Sequence, residues 1–234
     1  MKSIASALLI AAVLCGCGAP NPGGESGPNS PECKGLTLEA GRSGVLLGVG
    51  RWSRPVTDRA GYTLRGRLLV FDKPHFSLSG MEFRGSCPVY LELQNLSSRR
   101  DRDVAVYFAL ADGLECDLRD AHGKPCRPNN DNTALSSLLA YGYFWTRQYW
   151  AAVPIDGSVR LRAGPSLSSS SPNLDGLHIE MSRGPSWYAP EGDTNRYFLS
   201  GTFSPPTDHP SPPDAHAWQG RLDLPAVELR VPKP

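Results

Sequence analysis

The sequence predicts an all-β domain with little helix. The 234-residue chain contains 24 glycines and 22 prolines, a content that favours turns and strands over long helices. Apolar and polar residues also alternate in several short runs, which is the period of a strand that buries one face. With 40% hydrophobic and 20% charged residues, the chain has the composition of a single folded domain.

The clearest strand signals lie at 89–94 and 104–110, where apolar residues occupy every second position. The polar segment 95–101 between them predicts that the two strands form a hairpin. Weaker runs of the same kind bring the total to about eight strands, enough for two packed sheets. These weaker runs are 45–49, 62–71, 159–162, 177–181, 197–203 and 221–231.

Two further local features are predicted within this pattern. The last run loses its alternation at Pro225 and Ala226, which indicates a β-bulge or an edge position, because proline cannot donate to a ladder. One short helix is predicted to begin at 131–133, where Asp, Asn and Thr offer good capping side chains, and to run toward Gly142. We expect that helix to cover one end of the sheets.

Segments 90–97, 218–222 and 227–231 resemble strands of immunoglobulin-like modules in bacterial envelope proteins. The resemblance implies an immunoglobulin-like β-sandwich of about eight strands with one short helix. Such strands recur in unrelated families, so the resemblance carries no activity and no functional residues.

The amino terminus has the features of an export signal. Lys2 is followed by an uninterrupted run of apolar or small residues at 4–14, too short for a helix of about 20 residues that spans a bilayer. The run ends in Leu14-Cys15-Gly16-Cys17, which resembles the lipobox of bacterial lipoproteins. The resemblance implies that residues 1–16 are removed and that the thiol of Cys17 carries diacylglycerol. Cys15 fits less well as the acceptor, because a small residue is needed before cleavage and Leu14 precedes it.

Residues 17–32 follow as a tether and residues 33–234 as the folded domain. The tether is rich in Pro, Gly and Ser and has almost no apolar side chain to bury, so we expect a flexible spacer. Several acyl chains on one residue should hold the protein stably at a membrane. In a Gram-negative host, Gly18 after the acceptor, rather than Asp, resembles the signal for the outer membrane. The alternative is cleavage by an ordinary signal peptidase and release of a free protein.

Four cysteines remain in the exported domain, namely Cys33, Cys87, Cys116 and Cys126. An even number in a compartment that permits disulfides predicts two bridges. Four cysteines allow three pairings, which the sequence does not distinguish. We prefer Cys116 with Cys126, because a turn containing Gly and Pro separates them, and Cys33 with Cys87. A zinc or redox centre is disfavoured, since no two of them form a CxxC pair.

Six aromatic residues stand in the ten-residue segment 141–150, the most unusual local composition of the chain. Aromatic faces stack on sugar rings and also make protein-binding hot spots, so this segment supplies the candidate binding residues. These candidates are Tyr143, Trp145, Arg147, Tyr149 and Trp150. The competing interpretation is that several of these rings fill the core. The isolated Trp52, Trp187, Tyr188 and Trp218 are expected to pack in the core or in turns.

The sequence lacks a recognisable catalytic, cofactor or metal motif. It contains no Gly-x-Ser-x-Gly, HExxH, GxxxxGK[ST] or GxGxxG, so no catalytic residue, cofactor or metal ligand is assigned. Ser171, Asp175 and His178 are the residue types of a triad, but His178 is expected to point outward from a strand. The His and Asp residues of 208–216 could bind a metal, and the acidic residues of 112–132 could bind calcium. Exposed loops and turns explain both groups equally well.

Charge and composition limit the possible partners. The 24 Lys and Arg balance 23 Asp and Glu, and Lys2 leaves with the leader, so bulk charge indicates neither nucleic acid nor acidic lipid. We therefore expect a lipid-anchored envelope protein whose non-catalytic sandwich binds another envelope protein or has a structural role. The alternatives are a module that binds cell-wall glycan through 141–150, and an enzyme whose site leaves no motif.

Overall fold

The computed structural model describes residues 45–72, 75–78, 81–84, 86–128, 150–164, 177–182, 185–189, 196–210, 212 and 214–231. These residues form an all-β fold, as the sequence predicts. The only helical element among them is one 3-10 turn at Ala109–Ala111, and none of these segments is a helix long and apolar enough to cross a bilayer. The leader, the tether, Cys17, Cys33 and the predicted helix after 131 lie outside the described residues.

The strands are, in chain order, β1 (Leu46–Val49), β2 (Val56–Thr57), β3 (Thr63–Phe71), β4 (His75–Leu78), β5 (Met81–Arg84), β6 (Val89–Asn95), β7 (Asp103–Tyr107), β8 (Leu114–Asp120), β9 (Trp150–Val153), β10 (Ser158–Arg162), β11 (Leu177–Glu180), β12 (Ser186–Ala189), β13 (Arg196–Phe203), β14 (Ala215–Ala217) and β15 (Leu222–Arg230). Each run predicted from alternation contains a strand. The sequence reading missed β2, β4, β5, β8, β9, β12 and β14.

The largest sheet has the order β1-β3-β6-β10, with β2 paired to the start of β3. All of these pairs are antiparallel, and the register places Leu68 opposite Leu91 and Leu91 opposite Leu161. Their side chains share one face of the sheet and are fully buried. The opposite face is polar along Arg65, Arg67 and their partners on β6 and β10.

A second sheet has the order β15-β13-β8. Leu199 pairs with Val227 and Gly201 pairs with Leu224, so β15 has one more residue than β13 between these two pairs. The extra residue falls at Pro225 and Ala226, and the predicted bulge is confirmed. Proline is tolerated there because the ladder is already interrupted.

The inward residues of these two sheets belong to one apolar core. A side-chain carbon on Gly66 would contact Leu222 and Leu224, which shows that β3 and β15 approach closely. Each fully buried leucine contributes about 1.5–3 kcal/mol, so this core is the main source of stability. Trp187 and Trp218 are 3% and 1% exposed, which confirms their predicted packing.

The third sheet corrects the predicted hairpin. β6 pairs with β3 and β10, whereas β7 pairs with β9 and, in parallel, with β14, so β6 and β7 lie in different sheets. Alternation sets which face of a strand is buried and leaves its partner open, and here the segment after Asn95 crosses between sheets. β7 also ends earlier than predicted, at Tyr107, because the 3-10 turn at Ala109–Ala111 follows it.

The prediction that His178 points outward from a strand is wrong. His178 lies in β11, which pairs with β12. Leu177, His178, Ile179 and Glu180 are all at most 3% exposed, so His178 is buried rather than turned to solvent. Both faces of β11 are covered, which removes the distinction between inward and outward positions.

Candidate functional site

The most organised polar cluster of the described residues begins in the turn between β2 and β3. Asp58 Oδ1 accepts hydrogen bonds from the backbone N–H of Ala60 and of Tyr62, at 3.0 Å each. Aspartate favours such turns because its short side chain reaches the amides that follow it. The turn therefore holds the Asp58 carboxylate in one orientation, and the side chain is only 2% exposed.

His216 meets this carboxylate from the other end of the chain. It lies in β14 between the buried Ala215 and Ala217, and its side chain is 24% exposed. The His216 Nε2 to Asp58 Oδ2 distance is 2.6 Å, and the imidazole stacks on the Tyr62 ring with centroids 4.3 Å apart. An ionised carboxylate can only accept, so Nε2 carries the proton, and Nδ1 is the acceptor of the neutral ring.

The pKa of Asp58 is held below its ordinary value. Burial alone raises it, but hydrogen bonds from His216 and from the backbone amides of Tyr62 and Gln219 favour the ionised form more strongly. The positive charge that His216 can carry acts in the same direction. Asp58 is therefore a carboxylate at neutral pH, with its charge directed at the imidazole.

A second layer of contacts fixes Tyr62. Its hydroxyl donates to Asp101 Oδ1 at 3.0 Å, and its backbone carbonyl accepts from the indole N–H of Trp218 at 3.2 Å. Arg99 lies 5.1 Å from the Tyr62 ring centroid and donates to both oxygens of Asp101. The Arg99 hydrogen bond lowers the pKa of Asp101 to about 2, and burial raises the pKa of Tyr62. The neutral Tyr62 ring thus supports His216 from one face.

A pocket of about 870 Å³ opens beside His216. Its charged lining comprises Arg59, Arg102, Arg221, Asp58 and, when protonated, His216. The three arginines are exposed, whereas Asp58 is engaged by His216. The ion pair between Arg221 and the exposed Asp223, at 3.6 Å, is of a kind worth little in water. The pocket is consequently electropositive, and Ser204, Thr207 and Gln219 add hydrogen-bonding groups to its wall.

Of the aromatic segment 141–150, the structure describes one residue, Trp150. Trp150 is 5% exposed in β9 and packs edge-on against Tyr107, with ring centroids 5.5 Å apart. For this residue, burial favours the competing interpretation that the ring fills the core, as large rings on paired strands commonly do. Tyr143, Trp145, Arg147 and Tyr149 lie outside the described residues.

The described cysteines do not form the preferred pair in this structure. Cys116 and Cys126 have free thiols, and Cys126 lies opposite Leu118, two residues along β8 from Cys116. Diagonal neighbours of this kind are about 7–8 Å apart, beyond the usual span of a disulfide. Cys87 is buried beside Ile179. Cys33 falls outside the described part of the chain, and the two predicted bridges stay a prediction.

The residues considered for metals and for a triad are dispersed. His209 stacks on Tyr107 with centroids 3.8 Å apart, whereas His216 binds Asp58. Within the described segments, no three His, Cys, Asp or Glu side chains converge as metal ligands would. Ser171 and Asp175 are not among the described residues, and β11 buries His178.

Four residues of this cluster were not candidates in the sequence, namely Asp58, Tyr62, Arg99 and Asp101. Asp58 and His216 are 158 positions apart, so no local pattern connects them. A local signal was available only for the turn, since Asp58-Arg59-Ala60-Gly61 is a favourable Asx-turn sequence.

Comparison of the chain with protein-family models, with curated proteins and with solved structures finds no match.

Proposed function

We propose that this chain is a lipid-anchored protein of the bacterial envelope whose domain is a non-catalytic, immunoglobulin-like β-sandwich that binds an acidic ligand in the pocket beside His216. The observation that carries the proposal is the excess of positive charge there. Three exposed arginines line the pocket, whereas its one carboxylate, Asp58, is buried and hydrogen-bonded to His216. An incoming carboxylate would therefore meet available guanidinium donors, which bind planar anions in a bidentate manner.

The remaining lining favours a hydroxyl-rich ligand. Ser204, Thr207 and Gln219 offer donors and acceptors suited to sugar hydroxyls, and the prolines and alanines beside them leave space. An acidic saccharide combines both requirements. This assignment keeps the glycan alternative of the sequence analysis but moves the site from 141–150 to the pocket.

The test is calorimetric titration of the full chain, in neutral detergent, with glucuronate oligosaccharides and with neutral glucose oligosaccharides of equal length. We expect binding of the acidic series only, weakened at least about tenfold by Arg102→Ala or Arg221→Ala. Arg119→Ala is the matched control, because Arg119 is an exposed, ion-paired arginine on β8. Equal binding of both series, or loss in Trp145→Ala and retention in the arginine variants, would contradict the proposal.

The bond between Asp58 and His216 favours one second candidate, an enzyme in which His216 is a general base. A buried carboxylate that orients an imidazole is the arrangement that prepares such a base, and it leaves Nδ1 as the nitrogen that accepts a proton. Incubation of the acidic oligosaccharides with the protein, followed by chromatography, separates the two candidates. Turnover that disappears in His216→Gln would establish catalysis, and binding without turnover would leave the module non-catalytic.

A further inference from the structure

A second charged feature lies away from the pocket, on the polar face of β3, β6 and β10. The register places Arg67 opposite Glu92 and Glu92 opposite Arg160, so one carboxylate stands between two arginines on adjacent strands. The next pair on the same face is Arg65 opposite Gln94. These positions alternate with the buried leucines, so the backbone pleat directs all five side chains away from the core.

Glu92 fixes two of the guanidinium groups. Arg67 Nε donates to Glu92 Oε2 at 2.5 Å, and Arg160 Nε donates to Oε1 at 2.8 Å. The Glu92 side chain is 4% exposed, whereas those of Arg67 and Arg160 are 25% and 44% exposed. The carboxylate is thus covered, and the two positive groups above it reach solvent.

Gln94 and Trp52 fix the third guanidinium. Arg65 Nε donates to Gln94 Oε1 at 2.8 Å. The guanidinium carbons of Arg65 and Arg67 lie 4.7 and 4.2 Å from the centroid of the Trp52 ring. Both cations therefore stack on one indole, an arrangement that removes much of their freedom to move.

The contacts of these arginines leave their ligand-binding groups available. In the described residues, each of the three uses its Nε for the protein contact, so its two Nη amino groups remain to face a ligand. Within this group of side chains, three guanidinium charges and one carboxylate sum to +2. Glu92 balances one of these three positive charges, so the other two are left for an anionic ligand.

We infer that this face is a binding site for a phosphoryl group, with Arg65, Arg67 and Arg160 as its ligands. A phosphate monoester carries a charge near −2 and presents three oxygens, which matches three prepared guanidinium forks and the local charge. A ligand with a single carboxylate carries a charge of −1 and would leave one of the two positive charges unpaired. The face lies on rigid strands, so little ordering is required when the ligand binds.

The experiment uses the full chain in neutral detergent with two sources of the same chemistry. One arm titrates inorganic phosphate and glycerol phosphate by calorimetry, and the other adds short-chain phosphatidic acid to the micelles. We expect binding in at least one arm, weakened at least about tenfold by Arg65→Gln and by Arg160→Gln and reduced by added salt. Binding of the soluble esters would identify a free phosphorylated ligand. Binding of phosphatidic acid alone would identify a lipid headgroup.

Arg65→Gln and the control Arg196→Gln separate loss of the site from loss of stability. Arg65→Gln leaves the Glu92 ion pairs intact, so it tests the site even if Arg160→Gln lowers stability. Arg196→Gln is the matched control, since Arg196 is an exposed arginine paired with Glu228 on the other sheet. No binding in either arm, or equal weakening by Arg65→Gln and Arg196→Gln, would overturn the inference. Phosphate binding that is lost in Arg102→Ala and kept in Arg65→Gln would belong to the pocket and would also overturn the inference.

Discussion

Gly113 supports one wall of the pocket, and its replacement by alanine tests the packing there. Its φ is +78°, and its carbonyl accepts a hydrogen bond from the backbone N–H of Ser204 at 2.8 Å. A β-carbon added at Gly113 would overlap the carbonyl oxygen of Ser204 and lie 2.9 Å from its carbonyl carbon. Gly123 provides a matched control, because its φ is +79° and an added β-carbon would contact nothing within 4 Å.

The expected magnitudes follow from this difference. A left-handed backbone costs an alanine about 1–2 kcal/mol, of which about 0.4–1 kcal/mol is offset by a stiffer unfolded chain. Gly123→Ala should therefore lower the free energy of unfolding by about 0.5–1 kcal/mol. At Gly113 the overlap adds overpacking of about 1–3 kcal/mol and disturbs a hydrogen bond worth about 1 kcal/mol.

Thermal denaturation followed by circular dichroism measures both variants. A destabilisation of about 3–5 kcal/mol predicts that Gly113→Ala melts about 8–15 °C below the parent protein. Gly123→Ala should melt about 1–3 °C lower. Because Ser204 lines the pocket, Gly113→Ala should also weaken binding of acidic oligosaccharides below its melting temperature. Equal melting shifts for the two variants would refute the packing argument.

Two further predictions concern titratable groups. Hydrogen bonds hold the pKa of Asp58 below its ordinary 3.8 despite burial, so its stabilising effect is complete above that pH and is lost as the pH falls through the lower native value. Asp58→Asn should therefore be less stable at neutral pH and lose less stability in acid, as measured by urea unfolding, whereas the exposed Asp223→Asn should behave like the parent. Burial raises the pKa of both partly exposed thiols, that of Cys116 to about 12, so in the reduced chain DTNB should modify Cys126 faster than Cys116. Equal modification rates under native conditions would contradict that reading.

The alternation of apolar and polar residues determines which face of each strand is buried, so the buried residues could be predicted from the sequence. Leu91, Leu93, Val104 and Val106 are all fully buried, and Pro225 marks a bulge as expected. The pairing of the strands could not be predicted, because the alternation is the same whichever neighbour a strand pairs with. The hairpin predicted across 95–101 failed for that reason.

The pocket could not be predicted, because its chemistry comes from segments distant in the chain. Asp58 and Arg59 lie in an early turn, Arg102 precedes β7, and His216 and Arg221 flank the end of β14. Each residue alone reads as ordinary surface or loop. The aromatic run at 141–150 drew attention because it is local, yet Trp150, its described member, packs inside the fold.

The net charge of the chain did not indicate either proposed anion site, the pocket or the polar face of β3, β6 and β10. Asp58 and Glu92 are engaged by His216 and by arginines, and their side chains are only 2% and 4% exposed. The chain as a whole is nearly neutral, but these two carboxylates are covered, whereas the arginines of the pocket and of the polar face reach solvent. One feature of the sequence does favour anion binding: 19 of the 24 basic residues are arginine rather than lysine. Arginine exceeds lysine where charges must stack on aromatic rings or bind planar and tetrahedral anions through several hydrogen bonds, so this bias is expected if both sites bind anions.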